Sequence, residues 1–537
     1  MNMSRRKRGW QVSLTATALA VALVGCASTD DADEQGSAKG GDLFVTGTID
    51  QPDGGEPQPG GTLRFGAFSE PSSLDPARAI VAGSTGGIEL AAIYDVLMRQ
   101  DVDSGEVVPQ LAEALEANDD STEWVLTLRE GVEFSDGKPL DADAVVASIE
   151  RYLAAGGGDS AVWKENVKST EVTGPLEVTF TLRHTWPGFD SLLAAGAGMI
   201  VAPSAGAVDS PKFEPVGAGP FTFVEHRPSE VIKLAANEDY WDGRPHLDAV
   251  EVSFVDDPVA IHEAMETGQF HLGFLRDPKV IHEAIESGYG GSLEVVAGGK
   301  ALVLNAAKGR DTADAKVRRA ISAAMDPSVI IDRAHDGYGV PTSSMFPDGF
   351  DAAPDVDITG FDLELAKELV EEAKQEGFDG KVDLLTANSP DLRDTATMIQ
   401  AMLGAAGIEV NVDTVQSSTE TVTRVAGGDY DMAAWSLSWR EATAYARLFV
   451  TLHSKGNMNY GWATSPELDQ AIEDVQAAGD EESLQEGLGV VQEIYDELMP
   501  AVPYAAMPEY AGWVPEVHGV ASNANGIVLL DEAWIEQ

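Results

Sequence analysis

Three scarcities frame this chain of 537 residues: cysteine, basic side chains and long apolar runs. Cys26 is the single cysteine, so no disulfide forms within the chain and no thiol serves chemistry in its folded part. Lys and Arg number 35 against 89 Asp and Glu, a formal net charge of −54. Phosphate backbones are held by clustered cations, so nucleic acid is not a partner. The same acidity opposes direct docking on anionic lipid. It bears on solubility, not on fold. After Cys26 no apolar stretch reaches the roughly 20 residues that span a bilayer.

What is present begins at the amino terminus. Arg5, Arg6, Lys7 and Arg8 precede an apolar stretch from about Val12 to Val24, the pattern of an export signal over residues 1–25. Its ending, Leu23-Val24-Gly25-Cys26, resembles the lipobox of bacterial lipoproteins, in which the cysteine is acylated and becomes the first mature residue. Cys26 is therefore expected to be a lipid anchor, holding the chain on the outer face of a cell membrane. Ser4-Arg5-Arg6 leaves the export route, Sec or twin-arginine, open. Residues 26–60 are rich in Gly, Asp, Ser, Gln and Pro, interrupted by Leu43-Phe44-Val45, and are expected to form a flexible tether. Such a coil reaches roughly 30 Å.

From Thr62 onward strand-like and helix-like segments alternate without a repeat. Thr62–Phe65, Trp124–Arg129 and Val178–Leu182 carry the alternation of half-buried strands. Asp141 caps a helix whose apolar stripe is Val145, Val146, Ile149 and Leu153, and Asp326-Pro327 opens another. A further helix is expected to carry Phe361, Leu365 and Leu369, ending at Gly377. Mixed elements over this length predict an α/β protein of two lobes.

Catalytic signatures are missing. There is no phosphate-binding Gly-x-x-x-x-Gly-Lys and no Gly-x-Ser-x-Gly elbow. His262-Glu263 and His282-Glu283 begin like zinc helices but lack the second histidine, and are read as exposed helix faces. Asp101-x-Asp103-x-Gly105 lacks the later ligands of a calcium loop and is read as a surface turn. No cofactor, metal or enzyme activity is expected. One region gathers recognition groups instead: Trp435, Ser436, Trp439, Arg440 and Glu441 lie within seven residues, and Tyr445 follows. Tryptophan offers a rigid apolar face, Arg440 a fork for a carboxylate, and Glu441 a partner for an amine. The competing reading of these residues is a strand with core aromatics and a surface ion pair.

Leu111–Ala117 runs through Trp124–Arg129 to Glu130-Gly131-Val132-Glu133-Phe134-Ser135-Asp136-Gly137 and Pro139–Val145. With Gly217–Phe221 and Asn237–Trp241, with Leu304-Asn305 and Val317–Asp326, and with Asp429–Met432, Leu448-Phe449 and Pro466–Asp469, this order resembles the family 5 extracellular solute-binding proteins. Those are the peptide- and nickel-binding components of ABC importers. The resemblance implies a periplasmic-binding-protein-like fold, with an extra subdomain in the first lobe and a ligand cleft between lobes. It implies a first lobe at 61–300, a second at 301–505, and a return to the first at 506–537. It also implies a monomer that delivers a peptide or related small organic solute to a permease and ATPase complex. Segment 435–445 and the loop at Ser69 and Glu70 would line the cleft. The family's peptide binders carry an Asp-Pro-Asp-like stretch where this chain reads Arg440-Glu441-Ala442, which leaves Glu441 as the candidate amine partner. With no His or Met in 435–445, a nickel chelate is disfavoured. The rival function is a sensory surface lipoprotein reusing the same fold.

Overall fold

Aspartate before proline starts three of the helices. Asp257, Asp277 and Asp326 each accept a backbone N–H two residues on, at 2.9, 3.0 and 3.0 Å, at the heads of Pro258–Glu266, Pro278–Glu286 and Pro327–Ala334. The side chain satisfies an orphan donor while proline presets the first helical φ. Asp141 caps Ala142–Ala155 in the same way, through Ala144 N at 2.9 Å.

The computed structural model describes residues 43–50, 54–347, 350, 352–416, 418–440 and 443–537. The export signal, Cys26 and Glu441 lie outside the described residues.

Among the described residues, twelve strands form one sheet. Its two long strands, Gly290–Leu304 and Ala501–Trp513, lie side by side in the middle and run antiparallel. On one side follow Met432–Trp435, Lys381–Ala387 and Glu409–Val415. On the other follow Leu272–Leu275, Thr62–Ala67, Ala249–Phe254, Val231–Ala236 and Phe221–Arg227. The apolar core divides at the two long strands. Val295 and Ala506 belong to a cluster with Phe65, Val252, Phe274 and Tyr510, whereas Ala297 and Ala505 belong to one with Ile321, Leu384, Met432 and Tyr495. The pairing of the long strands is irregular between Val296 and Ala301. There Gly298 takes φ +57°, and a side chain on Gly299 would meet the Met507 backbone and Cβ, so two glycines hold the bend. The fold is thus α/β and two-lobed, with two strands running through both lobes.

A separate four-stranded antiparallel sheet, Ala112–Ala117, Glu123–Leu128, Glu177–Leu182 and Val167–Gly174 in spatial order, forms the extra subdomain. Trp163, Phe180 and Phe189 interlock beneath it at ring distances of 5.2 to 5.9 Å. Its core is continuous with that of the second lobe, because Trp186 packs edge-on against Tyr445 at 5.1 Å.

Three local expectations need correction and a fourth holds. The stretch expected to be tether already contributes to the fold: Gly47–Ile49 pairs with 291–293, and Phe44 is buried in the first core. The apolar triplet at 43–45 supplies the surface to bury. Phe361 lies before its helix, which starts at Leu363 under an Asp362 cap, and is 49% exposed. His262 is buried edge-on to Tyr289, and His282 packs against Tyr338, so neither lies on an open face. Asp101 to Gly105 does form a turn, between Met98–Gln100 and Val107–Pro109.

Candidate ligand cleft and hinge

Segment 435–440 leaves the strand Met432–Trp435 and crosses the bend in the first long strand. Trp439 N donates to the Ala297 carbonyl and Ala297 N to the Trp439 carbonyl, both at 3.0 Å, and Leu437 N donates to the Gly298 carbonyl at 2.9 Å. Alternate side chains then take opposite faces. Leu437 and Trp439 enter the second-lobe core, while Ser436 and Ser438 share a hydroxyl contact of 2.7 Å.

The expectation that Trp439 offers its ring to a solute is corrected. Its indole is fully buried, packed against Phe346 and Tyr495 with centroids 6.1 and 6.0 Å away, and its N–H donates to Thr451 Oγ1 at 3.1 Å. Trp435 is different: it is half-buried and edge-on to Tyr460 at 6.2 Å.

Arg440 is not an idle clamp either. Its Nε lies 2.8 Å from Glu294 and its Nη2 2.5 Å from Glu509. Those two glutamates are directly paired across the long strands. Like charges so placed repel, and the chain counters them with two guanidiniums, Arg440 from the second lobe and Arg276, 3.1 Å from Glu509, from the first. Arg276 also lies over the Phe68 ring at 5.3 Å. Burial works against the charge on Arg440, but the two glutamates outweigh it and raise its pKa. Burial pushes Glu294 up, while Arg440 pulls it down. The result is a four-charge tie across the bend.

The other expected residues are also held by protein groups. Ser69 Oγ donates to the Ser84 carbonyl at 2.7 Å. Glu70 accepts from His226 Nε2 at 2.8 Å and from Ser229 N at 3.0 Å. The Tyr445 hydroxyl accepts from Asn166 Nδ2 at 2.8 Å, and Asn166 Oδ1 accepts from Gln476 at 3.0 Å. This bond joins the extra subdomain to the second lobe. Tyr445→Phe is expected to remove about 1 kcal/mol of net hydrogen bonding from that contact. Small-angle scattering should then show a more open average, with solute affinity down by about fivefold; an unchanged scattering profile would mean the bond does not set closure.

Arg276, Glu294, Glu509 and Arg447 were missed in the sequence reading. For Glu294, Glu509 and Arg447 the signal is a lone charge inside an apolar run, such as Glu294 in Ser292–Val296 or Arg447 in Ala444–Leu452. A pocket of 590 Å³ opens elsewhere, at Arg78 and Arg151, but both arginines are already paired, with Asp209 and Asp75. Among the described residues no cluster of His, Cys, Asp and Glu is arranged to hold a metal, and no helix is long and apolar enough to cross a membrane.

Two lobes are thus joined by paired strands, with Arg276 and Arg440 brought together on Glu509 beside the bend. The family model for bacterial extracellular solute-binding proteins, family 5 Middle, matches residues 106–459, and the chain belongs to that family. The oligopeptide-binding protein AppA of Bacillus subtilis (strain 168) is 27% identical over 500 residues, covering 85% of this chain and 89% of AppA. The dipeptide-binding protein of Escherichia coli (strain K12) is 24% identical over 513 residues, 88% and 95% of the two chains. Among solved structures, AppA in complex with a nonapeptide superposes with a TM-score of 0.75 at 23% identity, over 90% of this chain and 100% of that one. AgaA from A. tumefaciens R10, in complex with agropinic acid, gives 0.76 at 25% identity, over 89% and 99%. Like its relatives, the chain is a carrier that acts outside the cytoplasm.

Proposed function

We propose that this chain captures a peptide or related small organic solute between its lobes and delivers it to the permease and ATPase of an ABC importer, working as a monomer tethered through lipid on Cys26. The observation that carries the capture reading is the convergence of Arg276 and Phe68 from one lobe with Arg440 and Trp435 from the other at a bend in two shared strands. A hinge of that kind needs only a ligand that binds the closed state better than the open one. The relatives' names support a peptide, and the agropinic acid complex supports a wider class of organic solutes. The packing of Phe65, Val252 and Phe274 apart from Ile321, Leu384 and Met432 supports a first lobe at 61–300 and a second at 301–505, with 506–537 returning to the first and the extra subdomain sharing its core with the second lobe. The lipobox-like Leu23–Cys26 supports the anchor.

Mass spectrometry of the chain extracted from membranes tests both halves. Under native conditions a small solute should remain bound, and after denaturation the mass should correspond to a chain starting at acylated Cys26. A protein that carries no solute and binds no peptide offered to it would refute capture. An unacylated terminus would refute the anchor.

A further inference from the structure

Arg447 is the one charged residue of the helix Ala444–Leu452. Its guanidinium has five N–H donors in a planar fork. Nε donates to the Leu437 carbonyl at 2.9 Å and Nη1 to the Met458 sulfur at 3.4 Å, while Nη2 has no partner among the described residues. Among the described residues no carboxylate lies within ion-pair distance of it. Four other buried or half-buried arginines are matched. Arg151 is paired with Asp75, Arg276 with Glu509, and Arg440 with Glu294 and Glu509. Arg318 gives three hydrogen bonds to carbonyls.

The place of this group is as telling as its bonding. It is fastened to the carbonyl of Leu437, in the segment that crosses the bend. Its charge interacts with Arg440, with Asp159 of the extra subdomain, with Tyr460 and with Glu509. Burial and the neighbouring Arg440 push its pKa down to about 10, so it stays cationic at neutral pH. Glu294 and Glu509 balance Arg276 and Arg440; of the further cations near the bend, Lys300 lies 3.5 Å from His335 and Arg447 lies beside the tie, and among the described residues neither has a carboxylate in ion-pair distance. A buried cation without an anion is unfavourable, and closure of the lobes would strip its remaining water.

We infer that Arg447 anchors a single carboxylate of the captured solute, one oxygen accepting from Nη2. This rests on solute capture between the lobes and names the chemistry captured there. With Nε and Nη1 already engaged, the contact is one-pronged. One such cation beside Glu509 and Asp159 suits a monoanion and disfavours a phosphate dianion.

The probes are alanine peptides of two to six residues, each as the free acid and as the carboxy-terminal amide, titrated calorimetrically into the mature chain. The acid should bind about tenfold or more tightly than its amide, the loss expected for a hydrogen bond to a charged group. Arg447→Gln should bring the acid down to the amide's affinity, and Arg447→Lys should restore much of the difference. Native mass spectrometry of the Gln variant should show the co-purifying solute lost, with circular dichroism confirming that it is folded. Equal binding of acid and amide by the unaltered chain, or an acid preference that survives in Arg447→Gln, would overturn the assignment while leaving capture standing. If no peptide binds and nothing co-purifies, capture itself falls and the assignment with it.

Discussion

Replacing Arg440 with Met should destabilise the folded chain by about 3–5 kcal/mol, the loss typical of breaking a buried pair by removing one partner. The geometry says why the figure sits at that level. Glu294 and Glu509 face each other across paired strands, and Arg276 reaches only Glu509. Without Arg440, Glu294 is left in a half-closed space with no cation. Its pKa, already raised by burial, then rises further. A carboxyl whose folded pKa exceeds its unfolded value binds its proton more tightly when folded, so stability falls as pH rises between the two values. The variant should therefore recover part of its loss at pH 5 relative to pH 8. Adding Glu294→Gln should recover more, since the orphaned charge is gone. Urea unfolding at both pH values checks this. A loss below about 1 kcal/mol, the size of an exposed ion pair, would show that the tie is solvated.

The second large effect is expected at Trp439. Truncation to alanine empties a site lined by Phe346, Tyr495 and Thr451 and removes the hydrogen bond to Thr451, a loss of about 3–5 kcal/mol. The indole also covers Gly298, whose missing side chain makes room for it: a Cβ there would sit 2.8 Å from the ring. Trp435→Ala, four residues earlier and half-buried, should lose about 1 kcal/mol or less and instead weaken solute binding. The two tryptophans thus separate a core role from a cleft role within one segment. If Trp439→Ala keeps its melting temperature and loses affinity, the indole belongs to the ligand surface and the packing argument is wrong.

Much of the architecture was open to reading before any coordinates. Aspartate caps, proline at first helical positions and the alternation in 123–128 and 177–182 are local signals, decided by neighbours in sequence. Boundaries were less legible. Phe361 keeps the helical spacing, yet Asp362 caps the helix so that it begins at Leu363, because a capping side chain competes locally with the apolar pattern. The stretch at 43–50 read as coil by composition, and one apolar triplet was enough to seat it against residues 291–293 once that strand existed to receive it.

The candidate site divides in the same way. Residues 435–440 were recognisable as unusual from their density of aromatic and charged side chains. By itself the sequence determined an acidic α/β chain of two lobes and marked the segment that crosses the bend, because composition, caps and period depend on nearby residues. Only the tertiary structure decided which groups are still open to a solute. Trp439, Arg440 and Tyr445 are engaged with Tyr495, Glu509 and Asn166, partners 56, 69 and 279 positions away. Contacts at such separations are set by how the sheet closes around its two long strands. No window along the chain contains both partners, so a charge that looks free in sequence is found paired, and Arg447 is found half-buried with no carboxylate in ion-pair distance among the described residues.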